Sequence, residues 1–291
     1  MSVSEVLGER REVLLSQGPI RYRERGSGDP IVFVHPMVIN GDLWRKLVPL
    51  LDDRFRCITP DWPLGGHDVP MTPGADLSPN GVATIVADFL DALELEGVTL
   101  VGNDTGGAIA QIVAAHHPQR LARLMLITCD AFDNFPPRAA KPLVWLTYVP
   151  GLMQISARIA RLRTMQRLPF VFGLLTKTRI EQPIVDSYLS PAIGNPAVRW
   201  DAIKALRGLA PSYTLEAAEH LPSFEGPAIV AWNPEDHFFH IEHARRLAAL
   251  LPNARLVEIE DAHTFVPEDQ PAALAKALGE LMAQPAHPDR A

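Results

Sequence analysis

The segment Leu100–Gln111, LVGNDTGGAIAQ, runs an apolar strand pattern through Gly102-Asn103-Asp104-Thr105-Gly106 directly into a helical one. Glycines two residues either side of a polar residue mark a tight strand-to-helix elbow, where crossing backbones leave no room for a Cβ. The apex residue is presented at the C-terminal edge of a sheet, the place where such sheets bind ligands. Here that residue is aspartate. A carboxylate with the ordinary pKa of about 4 is ionised at neutral pH and needs no base to make it attack. It is a poor nucleophile toward amides, because the product is a high-energy anhydride. Toward saturated carbon it displaces a leaving group and becomes an alkyl ester. An N-cap role for Asp104 is the alternative. Two later positions argue for chemistry. Trp232–His237 (WNPEDH) places Asp236 after one apolar run, and Asp261–Pro271 (DAHTFVPEDQP) places His263 after the next. Histidine can activate water against the ester, with a carboxylate to orient the ring and support its charge. The oxyanion would form on a side-chain oxygen of Asp104, with the backbone N–H of Thr105 as one donor to it.

These residues must be positioned by strands. The runs Ile31–His35, Arg56–Pro60, Thr99–Asn103, Leu124–Cys129, Ala228–Trp232 and Arg255–Ile259 are short and mostly rich in Val, Ile and Leu, as in parallel strands covered on both faces. Helical spacing of apolar residues follows in Gly81–Leu95, Ala108–His116, Ile241–Leu251 and Gln270–Met282. The alternation predicts an α/β class with a mostly parallel sheet flanked by helices. A hairpin is expected over Glu12–Glu24, with Gly18-Pro19 as its turn, and a frayed polar tail over Gln284–Ala291. From about Phe135 to His220 the rhythm breaks into short helical pieces, Leu143–Leu152, Ala157–Leu174 and Ile180–Tyr188, with no convincing strand. An interruption of that length points to an inserted helical cap. The expected organisation is a first core part at 1–134, a cap at 135–220 and a second core part at 221–291.

Composition narrows the function. A net charge of −7 with no basic stripe argues against nucleic-acid binding. No run approaches the length of a membrane span, and the first residues do not read as a secretory signal, so a cytoplasmic protein is expected. Cys57 and Cys129 lie in apolar runs and read as buried, reduced packing residues. No glycine-rich phosphate loop is present, so no cofactor is expected. His237, His240 and His243 have a metal-like spacing, but helical rotation spreads them apart, and no metal is expected.

The stretches VHPMVINGDLWRKLVP, LVGNDTGGAIAQ, WNPEDHFF and DAHTFVPEDQP together resemble the α/β-hydrolase superfamily, in particular its haloalkane dehalogenase and epoxide hydrolase branch. The resemblance implies an α/β-hydrolase fold with an inserted helical cap. It makes Asp104 the nucleophile, His263 the base and Asp236 its partner, with Asp130 as the alternative acid. It gives the second oxyanion donor to the N–H of Met37, after His35-Pro36 where relatives carry His-Gly. His35 reads as a structural brace. Thr105 and Met37 stand where many dehalogenases carry the Trp and Asn that grip halide. Tyr148 and Tyr213 stand at broadly the placements of the two cap tyrosines that epoxide hydrolases use on the ring oxygen. Epoxide opening on a small apolar organic substrate is therefore expected ahead of dehalogenation, where Trp145 or Trp200 could supply the N–H. An esterase or lactonase, and an inactive small-molecule binder, are the further alternatives.

Overall fold

A computed structural model describes residues 2–285 of the chain. Eight strands form one sheet: β1 (Glu9–Leu15), β2 (Gly18–Arg25), β3 (Pro30–Val34), β4 (Arg56–Pro60), β5 (Val98–Asp104), β6 (Leu121–Cys129), β7 (Ala228–Trp232) and β8 (Ala254–Glu258). Their order is β1-β2-β4-β3-β5-β6-β7-β8. β2 runs antiparallel to both β1 and β4, and the remaining pairs are parallel. After β3 the chain first adds β4 on one side and then returns to add β5 on the other. The crevice between the C-terminal ends of β3 and β5 is thus the topological switch point, where open α/β sheets bind ligands. Asp104 closes β5 at that crevice.

The central strands bury both faces, and their period of two sorts them into two apolar layers. Val32, Val34, Leu100, Leu124, Leu126 and Val230 point into one layer. Ile31, Phe33, Val101, Met125, Ile127 and Ile229 point into the other. α1 (Pro79–Ala92), capped by the Ser78 hydroxyl, and α2 (Thr105–His116) cover the first layer. Between β6 and β7 come α3 (Lys141–Leu146), α4 (Leu152–Ala160), α5 (Gln182–Gly194), α6 (Pro196–Gly208) and α7 (Pro211–His220), with no strand among them. α7 packs on α2 and places Ala217 in the first layer. After β7 follow α8 (Ile241–Leu250), α9 (Val266–Asp269) and α10 (Pro271–Met282), and the last covers the second layer. No helix among the described residues is long and apolar enough to cross a membrane. Both cysteines are buried and free.

Three expectations need correction. The hairpin turn is Ser16-Gln17, because Leu15 already pairs with Gly18. Gly18 and Pro19 open the edge of β2 instead. The helix expected over Leu143–Leu152 stops at Leu146 and restarts at Leu152, since Pro150 lacks an N–H and Gly151 takes a left-handed φ of 78°. The helix expected over Ala157–Leu174 ends at Ala160, and Pro169 opens a separate wide turn at Pro169–Gly173. Most of the tail expected at Gln284–Ala291 lies outside the described residues.

α5 is pinned to the core through polar side chains. The Ser187 hydroxyl donates to Asp42 at 2.6 Å, the Asn40 amide donates to the Ser187 carbonyl at 3.1 Å, and Arg45 pairs with Glu181 at 2.6 Å. Arg45 also pairs with the buried Glu268 of α9, which Lys46 contacts at 2.9 Å.

Candidate active site

The elbow forms as its residue types require. Asp104 sits at φ 53° and ψ −125°, a conformation that costs a non-glycine residue of order 1–3 kcal/mol and persists only where the surroundings impose it. A Cβ on Gly106 would stand 2.1 Å from the Val34 carbonyl oxygen, and one on Gly102 would stand 2.4 Å from the Gly106 carbonyl oxygen. No other residue allows β3, β5 and α2 to approach this closely. The Asp104 side chain makes no helix-capping hydrogen bond. The neighbouring backbone N–H of Thr105, the expected oxyanion donor, favours its charged form. The Thr105 hydroxyl lies 3.5 Å from Oδ1.

Electrostatics at Asp104 correct the expectation of an ordinary carboxylate. Burial, and then the charge of Asp236, push its pKa up to about 7. A second carboxyl explains how the pair is accommodated. Asp104 pairs across the β5–β6 ladder with Cys129, which puts Asp130 beside it. Asp130 is 1 % exposed. Burial and the Asp104 charge hold the Asp130 carboxyl well above the usual range. Oδ1 of Asp130 has no partner, while its backbone carbonyl accepts from the Gln111 amide at 2.7 Å.

In the histidine loop both oxygens of Asp236 accept hydrogen bonds. Oδ1 of Asp236 accepts from the backbone N–H groups of Phe238 and Phe239 at 2.8 and 2.9 Å. Oδ2 accepts from the hydroxyl of Thr264 at 2.8 Å, so Thr264 and not His263 is the partner of Asp236. His263 Nδ1 is buried without a hydrogen-bond partner, and its ring lies 5.0 Å from that of His237. Burial, and then His237, lower its pKa. No hydrogen bond joins His263 to Asp104, Asp236 or Asp130 among the described residues. The reason is local. Three amide bonds fix the backbone here: Asn233 to the Ala262 carbonyl at 2.7 Å, and Asn103 to the carbonyls of Thr264 at 2.9 Å and Ile127 at 2.9 Å. Asp269 holds the His263 N–H at 3.0 Å. On a backbone fixed in this way one of two neighbouring side chains turns inward, and it is Thr264, fully buried, that does so.

The loop after β3 is braced as expected at His35. Trp62 N–H donates to Nε2 at 2.9 Å, so the proton sits on Nδ1 and donates to the Pro36 carbonyl at 2.8 Å. Burial pushes this imidazole down to about 3, which keeps it neutral. Met37 is buried in the first apolar layer, and Val38 turns the chain at φ 64°.

A cavity of about 940 Å3 opens between segment 133–148 and residues 237–243. Trp145 and Tyr148 line it, opposite His237 and His240. Tyr148 is largely exposed, with the Arg207 guanidinium 4.4 Å from its ring centre. The Arg207 guanidinium is also 5.9 Å from the ring centre of Trp200, which does not line the cavity. Tyr213 is half-buried against the first layer and does not line it either. Asp104, Asp236 and His263 lie outside the lining, and His237 is the residue that links the cavity to the histidine loop. Thr264 and Asn103 are the residues that sequence reasoning missed. Their signal is the row of polar residues immediately beside Asp104 and His263, at strand ends where only buried networks tolerate them.

An eight-stranded sheet with this order and an aspartate elbow at its switch point defines an α/β-hydrolase. Residues 29–271 match the alpha/beta hydrolase fold family, and the chain belongs to it. It is a hydrolase of that superfamily. Haloalkane dehalogenase 2 of Mycobacterium tuberculosis is 27% identical over 269 residues, covering 90% of this chain and 91% of the relative. A cis-3-alkyl-4-alkyloxetan-2-one decarboxylase of Shewanella oneidensis is 27% identical over 265 residues, covering 86% and 80%. The structure of the epoxide hydrolase CorEH superposes with a TM-score of 0.77 at 19% identity, over 94% of this chain and 98% of that one.

Proposed function

We propose that this protein hydrolyses small apolar epoxides to diols through a covalent alkyl ester on Asp104. The observation that carries the reading is the Asp104 carboxyl at the apex of a strained elbow with the Thr105 N–H beside it. Attack of its oxygen on a ring carbon breaks the C–O bond and opens the strained ring. Water then adds to the ester carbonyl, and the oxyanion forms beside the Thr105 N–H. Thr105 and Met37 supply no side-chain N–H to a departing halide, whereas an alkoxide needs a proton, which a buried acidic site can deliver. Haloalkane hydrolysis is the second reading. Trp145 on the cavity wall favours it, as does the dehalogenase relative.

The test is a single turnover in 18O water, run beside a panel of terminal epoxides and matched 1-haloalkanes. Diol from the epoxides is expected, with label in the Asp104 peptide and none in the first product. Label in the product and none in the peptide would mean that water attacks the substrate directly. Halide release with no diol would establish the second reading.

A further inference from the structure

We infer that the outer face of α4, with the turn that follows it, docks on the surface of a bilayer carrying anionic phospholipid. Residues 134–180 carry eight Lys and Arg and no Asp or Glu, in a chain whose net charge is −7. The sign of the whole protein is reversed in that one segment. Arg161 pairs with Asp186 at 2.8 Å and Lys177 with Asp261 at 2.9 Å. Arg167 and Arg179 donate to the backbone carbonyls of Lys177 and Arg163. Among the described residues no carboxylate pairs with Arg138, Lys141, Arg158 or Arg163. The same segment keeps apolar side chains out of the core. Ile155, Ile159 and Leu162 follow one another at helical-turn spacing and are each about half exposed. The inner side of α4 is already engaged, since Met153 is buried and the Gln154 amide donates to the Ile193 carbonyl of α5 at 2.8 Å. Arg158 borders the stripe and Arg163 follows it, both exposed. Leu168 beyond them, and Trp145 of α3, which packs on α4, are exposed too.

An apolar stripe bordered by unpaired cations calls for a partner with both an apolar layer and negative charge. An anionic bilayer surface offers the two at the right depths. The boundary between headgroups and acyl chains takes Ile155, Ile159 and Leu162, while the arginine stems reach back to the phosphates. Net negative headgroups are required, because a neutral surface gives the unpaired cations little attraction. A second copy of the chain is the other occupant that an exposed apolar stripe suggests. In a two-fold contact, however, the patch meets itself, and the cations of one copy face those of the other. Like charges set against each other disfavour that pairing. Docking through this face is independent of which bond the Asp104 site cleaves.

The full chain is sedimented with vesicles of phosphatidylcholine alone and of phosphatidylcholine mixed with phosphatidylglycerol, at low and at high salt. Wild type should bind the mixed vesicles at low salt about tenfold or more tighter than phosphatidylcholine alone, and salt should release it. Arg158→Gln with Arg163→Gln, and separately Ile159→Gln with Leu162→Gln, should each weaken binding by about tenfold or more. All four side chains are exposed, so the urea midpoint should stay at the wild-type value and a loss of binding is not a loss of fold. Leu14→Gln removes a still more exposed apolar side chain from the edge strand β1 and should bind as wild type does. No binding of wild type to the mixed vesicles at low salt overturns the inference. Binding that survives Ile159→Gln with Leu162→Gln also overturns it, since the stripe would then play no part. A concentration-dependent dimer in vesicle-free solution, abolished by that same pair, would assign the face to a second copy instead.

Discussion

The elbow around Asp104 and the loop around His263 are bridged by Asn103 but are held by different means. At the elbow, backbone packs on backbone, and the geometry is set by positions where a single added carbon would collide with a carbonyl. At the loop, side-chain amides and hydroxyls reach across to backbone carbonyls, and the geometry is set by which of two adjacent residues turns inward. The first kind of constraint is written in residue type. The second is a matter of phase, and a one-residue change of phase exchanges the group that faces Asp236. The site therefore has a rigidly specified elbow residue and a partner set chosen by a small local network.

The largest expected effect tests the backbone half. Gly106→Ala drives a Cβ to 2.1 Å from the Val34 carbonyl oxygen, and should destabilise the fold by about 3 kcal/mol or more, or prevent folding. Gly194→Ala, where a Cβ meets nothing within 4 Å, is the control, expected within about 1 kcal/mol of wild type in the same urea titration. Equal effects would erase the distinction drawn for the elbow.

Asn103→Ala tests the network half. It removes an amide that bonds the carbonyls of Ile127, Thr128 and Thr264, and should cost about 2–3 kcal/mol by denaturation. A cost below about 0.5 kcal/mol would show that the loop is held by packing rather than by the amide.

Charge burial gives the third contrast. The folded-state pKa of Asp104 is raised above its unfolded value, so the associated stability is complete below about pH 4. It is lost as pH rises through about 7, the folded value. Wild-type stability should fall across that window, and Asp104→Asn should flatten the fall and gain about 1–3 kcal/mol at pH 8. A variant that unfolds at the same urea concentration as wild type at pH 8 would count against a buried charge at the elbow.

The smallest effect is expected at His263. Its Nδ1 has no partner, so His263→Gln should change stability by no more than about 0.5 kcal/mol at pH 7. Thr264→Val, which leaves Oδ2 of Asp236 unpaired, should cost about 1–3 kcal/mol under the same conditions. Reversal of those two values would place the histidine, not the threonine, against Asp236.

Much of this was legible in the sequence. Strand positions came within a residue for most buried strands, because a continuous run of Val, Ile and Leu has few other uses, although β6 begins three residues before the expected Leu124. Asp104 and Thr105 were legible because the flanking glycines encode a collision rather than a preference. The His35 brace was readable once the site had no need of a second base. The partner of Asp236 was not, since DAHTFV offers two polar residues in succession and composition does not say which faces in. Asp130 was visible as a carboxyl at a strand end, but its contact with Asp104 depends on the alignment of β6 with β5. In the run from α3 to α6, helix ends at Pro150-Gly151 and Pro169 overrode an apolar periodicity that would have continued through them.

The carboxylate of Asp269 has a consequence for how the molecule can breathe. Oδ2 accepts from the His263 and Lys177 N–H groups, and Oδ1 from the Thr176 hydroxyl and the Thr178 N–H. The Phe265 N–H donates to the Leu175 carbonyl at 2.7 Å. Residues 175–178 and the loop carrying His263 are in effect one hinge plate, screwed down further by Ser187, Glu181 and Glu268. A swing of the α3–α6 run that broke this plate would drag His263 with it. Trp145, Tyr148 and His237 line the cavity.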